Sequence, residues 1–211
     1  MARSLAALAP LPALFVALAL LLRLEASLPM LGVGAGGWCL ALAVRVPAIF
    51  ALGRMGRAAV GVWLSGPAEE LVRLAMVLGF AHSADEAYWL GLGWGLAEVP
   101  YHVLESAVLW RLQQGAPAQG QASLVDAAVA ELAASPWSWW RSLERYSATA
   151  LHVGFTLAME LSAWAALVLV PAHSLLNQAF LWGAGRSVAA AEWTALAVGL
   201  AALAAGLALA L

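Results

Sequence analysis

Glu69-Glu70-x-x-Arg73 stands in the middle of an apolar stretch long enough to cross a membrane. A charged group at a bilayer centre costs roughly 2.5–3.5 kcal/mol on insertion scales and as a rule marks function. On a helix, Arg73 lies four residues from Glu69 and three from Glu70, so either carboxylate can pair with the guanidinium. The expected result is one neutralised carboxylate and one free one. A free intramembrane carboxylate is a candidate general base, proton carrier or cation ligand. His173 and Asn177, four apart, project from one helix face and suit stabilisation of a carbonyl oxyanion. Taken alone, the pair would equally serve an interhelical hydrogen bond.

These residues need elements that bring them together. The chain of 211 residues is 64% hydrophobic and 10% charged, and all ten of its basic residues are arginine. A soluble domain of this size would lack polar side chains to cover its surface, so the composition indicates a polytopic membrane protein. The net charge of −2 and the absence of a basic patch point away from nucleic acid. The single cysteine, Cys39, rules out an internal disulfide and is expected to be small, buried and inert.

Seven segments reach or approach the length of a span, near 5–24, 29–52, 58–81, 87–110, 144–162, 164–184 and 189–211. The fold expected is therefore an all-α bundle of about seven transmembrane helices, a single domain over 1–211 with its motifs in 58–184. A loop over 111–143 is read as cytoplasmic and carries an amphipathic piece around 122–134. It ends in the tryptophan cluster Trp137, Trp139 and Trp140, read as headgroup-level anchors. With the N-terminus inside, Arg3, Arg54, Arg57, Arg111, Arg141, Arg145 and Arg186 fall at cytoplasmic ends, in a multi-pass protein of the plasma membrane. Arg45 is expected to snorkel or to pair internally, and Glu160 and Glu192 are expected to be uninvolved.

Depth links the polar groups. Glu69 and Glu70 are central in the third expected span, Glu98 in the fourth, and His152 lies in the fifth. His173 and Asn177 belong to the sixth, so four consecutive spans bring polar groups to a similar depth, facing one interior. Pro100 removes a backbone hydrogen bond just after Glu98, and His102 lies one turn on and is a candidate supporting group. Glu105 is nearer the end of the span, within reach of water. Gly91, Gly93 and Gly95 are expected to let helices approach closely.

Other intramembrane chemistries lack their residues. Trp63-Leu64-Ser65-Gly66 is not a Gly-x-Ser-Gly serine motif, Asp85 and Asp126 fall in expected loops, and no His-Glu-x-x-His is present. A carboxylate-based site remains.

In order along the chain, Glu69-Glu70-x-x-Arg73, Trp94-x-x-x-Glu98, His152-x-x-x-Thr156 and His173-x-x-x-Asn177 resemble the motifs of glutamic-type intramembrane proteases. These belong to the CAAX-protease and bacteriocin-processing superfamily, and the likeness is to its PrsW and YhfC branches. Gly91-Leu92-Gly93-Trp94 with Glu98 and Tyr101 is similar to the PrsW second motif, and Glu144-Arg145 before His152 to the YhfC arrangement. YhfC-like members carry a histidine where this chain has Trp94. The resemblance implies hydrolysis of peptide bonds in a membrane-associated peptide or protein. Glu69 or Glu70 would act as base with Glu98, and His152 would position water or protonate the leaving amine. His173 and Asn177 would stabilise the oxyanion, with Arg73, Trp94 and His102 in support. No cofactor is required, although two glutamates and two histidines could ligate zinc. A non-catalytic scaffold of the same superfamily and, less favoured, a proton-coupled transporter are the alternatives.

Overall fold

The computed structural model describes residues 6–115 and 139–211. Arg3, Pro136, Trp137 and the amphipathic piece expected around 122–134 lie outside them. Among the described residues the chain is helical without a strand, with seven α-helices. These are α1 (Pro10–Leu21), α2 (Leu28–Arg54), α3 (Ser65–Phe80), α4 (Ala84–Gly115), α5 (Trp139–Leu161), α6 (Ala166–Ala184) and α7 (Val188–Ala210). A 3-10 segment, Ala58–Leu64, leads into α3 and a second, Ala163–Ala165, into α6.

Three helical stretches are long and apolar enough to cross a membrane: Leu28–Arg54, Ala163–Ala184 and Val188–Ala210. The others fall short for separate reasons. Helices α1 and α3 have 12 and 16 residues, roughly 18 and 24 Å at the α-helical rise and less than the hydrocarbon thickness. Helices α4 and α5 are long but carry the acids and arginines of the site.

Apolar side chains are distributed as a membrane protein requires. Leu14, Leu21, Val44, Phe50, Leu71, Leu78, Leu167, Val168 and Leu181 are exposed, far more apolar surface than a monomer in water leaves uncovered. Helix α3 is inside-out: Glu69, Glu70 and Arg73 are buried while Leu71 and Leu78 face outward. Cys39, expected to be buried, lies exposed on α2.

Two apolar clusters frame the interior. The larger joins Leu11, Phe15 and Ala19 of α1 to Val77, Tyr88, Leu90, Leu92, Val153 and Leu157. Leu11, Phe15 and Ala19 recur every fourth residue, which is what lets so short a helix bury one stripe. The Tyr88 hydroxyl donates to the Phe15 carbonyl at 2.8 Å, and the Trp89 indole to the Glu25 carbonyl at 2.8 Å. The smaller cluster, Trp38, Ala41 and Trp94, abuts the charged residues. Glycine spacing on α4 holds the frame together. Gly91 and Gly95, one turn apart, press on α5 at Val153 and Thr149, while Gly93 on the opposite face presses on the Leu31 backbone of α2. A Cβ at any of the three would overlap backbone atoms, so only glycine lets α4 lie that close to both neighbours.

Candidate functional site

Arg73 is the hub. Its side chain is fully buried, and a guanidinium offers five donors and no acceptor. Nε and Nη2 grip the Glu70 carboxylate at 3.0 and 3.2 Å. Nη1 donates to the His152 carbonyl at 3.0 Å and to the Thr156 hydroxyl at 3.1 Å. Nη2 also lies 2.7 Å from His152 Nδ1. The guanidinium sits over the Trp94 ring, 4.4 Å from its centroid, a cation–π contact. Helical spacing explains the Glu70–Arg73 pair; the α5 contacts come from the packing of α3 against α5.

Arg73 also assigns the tautomer of His152. A guanidinium only donates, so Nδ1 must accept, and the ring proton belongs on Nε2. Nε2 faces Glu98 Oε2 at 3.2 Å, an acceptor in the right place. His152 is thus held as a neutral donor toward Glu98.

Glu70 accepts on both of its oxygens. Besides the two bonds from Arg73, Oε1 receives His173 Nδ1–H at 2.5 Å. A carboxylate bound to Nδ1 directs the other ring nitrogen, Nε2, away from it, as carboxylate–imidazole pairs do at catalytic and metal sites. The two imidazoles, His152 and His173, have ring centroids 6.0 Å apart.

The second carboxylate departs from expectation. Helical spacing predicts that it is free; instead Arg45, reaching from α2, pairs with Glu69 Oε1 at 2.9 Å. The Trp94 indole N–H faces Glu69 Oε2 at 3.5 Å, a long contact. Glu69 Oε2 is the least engaged oxygen of the two glutamates. Of the two courses open to Arg45, snorkelling and internal pairing, it takes the second.

Glu98 is met in the same way by Arg145, a residue that the arginine asymmetry expects at a cytoplasmic helix end. Arg145 is buried, its Nη1 lies 3.1 Å from Glu98 Oε2, and its Nη2 pairs with Glu144. Arg145 and His152 stand seven residues apart on α5, two helical turns, so both meet the same carboxylate. His102 Nε2 approaches Glu98 Oε1 at 3.4 Å, and His102 Nδ1 lies 3.0 Å from Glu105 Oε2.

The described structure therefore gathers Glu69, Glu70, Arg73, Trp94, Glu98, His102, His152 and His173 into one connected set from α3, α4, α5 and α6, with Arg45 from α2. It does not place Asn177 there. The Asn177 amide donates to Ser65 Oγ at 2.9 Å, where α6 meets the start of α3. Ser174 strengthens the same junction, donating to the Trp63 carbonyl at 2.8 Å and accepting from the Gly66 N–H at 3.2 Å.

Arg45 and Arg145 have carboxylate partners that the sequence does not assign, and charge balance is the signal that could have found them. Three glutamates of the site, Glu69, Glu70 and Glu98, have only Arg73 within helical reach of any of them along the motif. Buried carboxylates call for one cation each, and Arg45 and Arg145 supply the other two. For a metal, among the described residues no three of His, Cys, Asp and Glu are grouped so as to hold an ion. No family model, no curated protein and no solved structure matches this chain.

Proposed function

We propose that this chain is an intramembrane endopeptidase of the glutamic type, hydrolysing peptide bonds of membrane-associated substrates with a carboxylate-activated water. In this reading the seven helices all lie in the membrane, the site is at mid-membrane depth, the N-terminus is cytoplasmic and the host is the plasma membrane. The observation that carries it is the buried set itself: two carboxylate–imidazole pairs, Glu70–His173 and Glu98–His152, meeting around one guanidinium inside an apolar bundle. Charged groups in such a setting mark function rather than packing.

The contacts redistribute the roles. Glu70, held by Arg73 and His173, anchors and orients; Glu69, with Oε2 least engaged, is the better general base. His173 Nε2 and His152 are the groups that position water or move a proton to the leaving amine. Asn177, tied to Ser65, has no part in the chemistry of this arrangement. No step requires a metal, and activity surviving chelation is the expected result.

A second reading has its own support. Glu69–Arg45, Glu70–Arg73 and Glu98–Arg145 form three matched pairs, and Trp94 stands where some relatives of the resembling family keep a histidine. A charge-balanced network of this kind also serves a non-catalytic scaffold that binds a partner helix. One experiment separates the two. Purified protein in proteoliposomes is given fluorescently tagged single-span peptides, and Glu69→Gln, Glu70→Gln and His173→Ala are compared with the parent. Cleavage lost in all three with folding intact supports the protease. If the parent captures a peptide without cutting any, the scaffold stands. Proton-driven flux in the same vesicles would point instead to transport.

A further inference from the structure

Helices α5, α6 and α7 leave a cavity of about 460 Å³ between them, within the range of small-molecule sites. Small residues make the room: Ala148 on α5, Ala179 and Gly183 on α6, and Ala191 and Ala195 on α7 all line it. On each helix the lining residues recur at three- and four-residue spacing, so the space runs along the helices as a groove. Beside α6 it extends from Leu176 to Arg186, about 15 Å at the α-helical rise. That is half the thickness of a hydrocarbon core, the depth of one leaflet. We propose that this groove holds an acyl chain of an anionic phospholipid, with the headgroup phosphate at Arg186. The inference rests on the membrane placement of α6 and α7, not on any reaction at the buried carboxylates.

Arg186 supplies the charge complementarity. It lines the outer end of the groove, is exposed, and has no carboxylate partner among the described residues. One N–H of Nη1 donates to the Trp182 carbonyl at 3.1 Å, and the guanidinium lies over the Trp182 ring, 3.5 Å from its centroid. The other N–H groups are left for a phosphate, an anion that a guanidinium grips through two parallel bonds. Glu144, an acid on the same wall, already pairs with Arg145. Ser187 caps α7 at this end, accepting from the Ala190 N–H at 3.3 Å, and a helix N-terminus favours an anion. Trp182 and Trp193 are both exposed near the same end, as side chains at headgroup level are. The cytoplasmic position expected of Arg186 faces the leaflet that carries anionic lipid.

The walls favour hydrocarbon over peptide. The Ser147 hydroxyl donates to the Leu143 and Glu144 carbonyls at 3.1 and 3.0 Å, and the Thr194 hydroxyl to the Ala190 carbonyl at 2.8 Å. The Asn177 amide is given to Ser65. An extended peptide would bring a row of backbone groups against walls whose donors are already used, which structures in lipid do not tolerate. A helix satisfies its own backbone but is at least 10 Å across, so 15 Å of it fills roughly 1,200 Å³. That is more than twice the cavity. An acyl chain is thin and requires no hydrogen bond. Its inner end would lie beside Leu151 and Leu176, one residue before His152 and three after His173. The chain thus fills the gap between the two helices that carry the imidazoles, whose ring centroids stand 6.0 Å apart.

Full-length protein in detergent is titrated with phosphatidylglycerol or phosphatidylcholine of identical chains, and bound lipid is counted by native mass spectrometry. The parent should retain one phosphatidylglycerol about fivefold more tightly than phosphatidylcholine, the factor that one arginine contributes toward an anionic headgroup. Arg186→Gln, at an exposed position, should abolish that preference. Gly183→Leu should remove the retained lipid; a Cβ there meets Ala191 Cβ at 3.5 Å, an ordinary contact that leaves the backbone in place. A phosphatidylglycerol with a diazirine at its chain end should label the parent at Leu151 or Leu176. Equal retention of the two lipids, a preference that survives Arg186→Gln, or parent-like retention in Gly183→Leu would each overturn the proposal. So would capture of a single-span peptide that Gly183→Leu abolishes and phosphatidylglycerol fails to displace, since the groove would then belong to a peptide. The counts need no substrate, so failure of the protease reading leaves them unchanged.

Discussion

Arg73 directs five donors at three residues, Glu70, His152 and Thr156. Lysine has three donors and no planar fork, so Arg73→Lys leaves at least two buried acceptors without a partner, each costing about 1–3 kcal/mol. Arg73→Ala, which strands the Glu70 charge, should lose about 3–5 kcal/mol; denaturant titration in detergent measures both. Glu98 and Arg145 offer the sharper test. Either Glu98→Leu or Arg145→Met alone isolates one ion and should destabilise strongly, while the double variant should recover much of that loss. Equal, additive losses would show that the two side chains do not depend on each other. Arg45 differs in degree, because its side chain stays partly exposed. Arg45→Met should cost less stability than Arg73→Ala in the same titration, because the pair it breaks reaches the surface through Arg45. The local pair Glu70–Arg73 is legible in the sequence, being set by helical spacing alone. Arg45–Glu69 is not, because 24 positions separate the partners and no periodicity relates one helix to another.

Helix α4 joins the two halves of the site, and its glycines decide how close those halves come. Gly91 and Gly95 meet α5 on one face and Gly93 meets α2 on the other. Gly95→Val should push α4 from α5, costing about 1–3 kcal/mol as overpacking does and lengthening the Glu98–His152 contact. Gly93→Val should instead separate α4 from α2, loosening Trp94 and Arg45 around Glu69. A disulfide-crosslinking scan between helices distinguishes the two, since each variant should lose crosslinks on one side only. Helix α6 shows where spacing misleads. His173 and Asn177 share a face, as four-residue spacing requires, yet His173 meets Glu70 and Asn177 meets Ser65. One helical turn spans about 5.4 Å, enough to carry two residues on one stripe to different neighbours.

Among the described residues, the charged groups at the centre of the site are buried while many large apolar side chains are exposed, an exposed apolar surface that suits lipid rather than water. Cys39, the single cysteine, gives a direct test, because it is exposed on α2, a helix long and apolar enough to span. In intact membranes it should resist a membrane-impermeant maleimide and become labelled once detergent and denaturant remove the lipid. Labelling at full rate in sealed vesicles would place that face in water. Composition and periodicity are enough to foresee an all-helical chain with apolar spans, because helix formation and lipid exposure depend on residues near one another in sequence. The helix on which each acid and histidine of the site stands is legible for the same reason. Which arginine neutralises which acid, which tautomer His152 adopts, and that Asn177 stands apart from the carboxylates are decided only by tertiary structure. Those outcomes depend on how closely α2, α4, α5 and α6 pack and on which faces they turn to one another. Distance between helices is set by contacts among residues far apart in the chain.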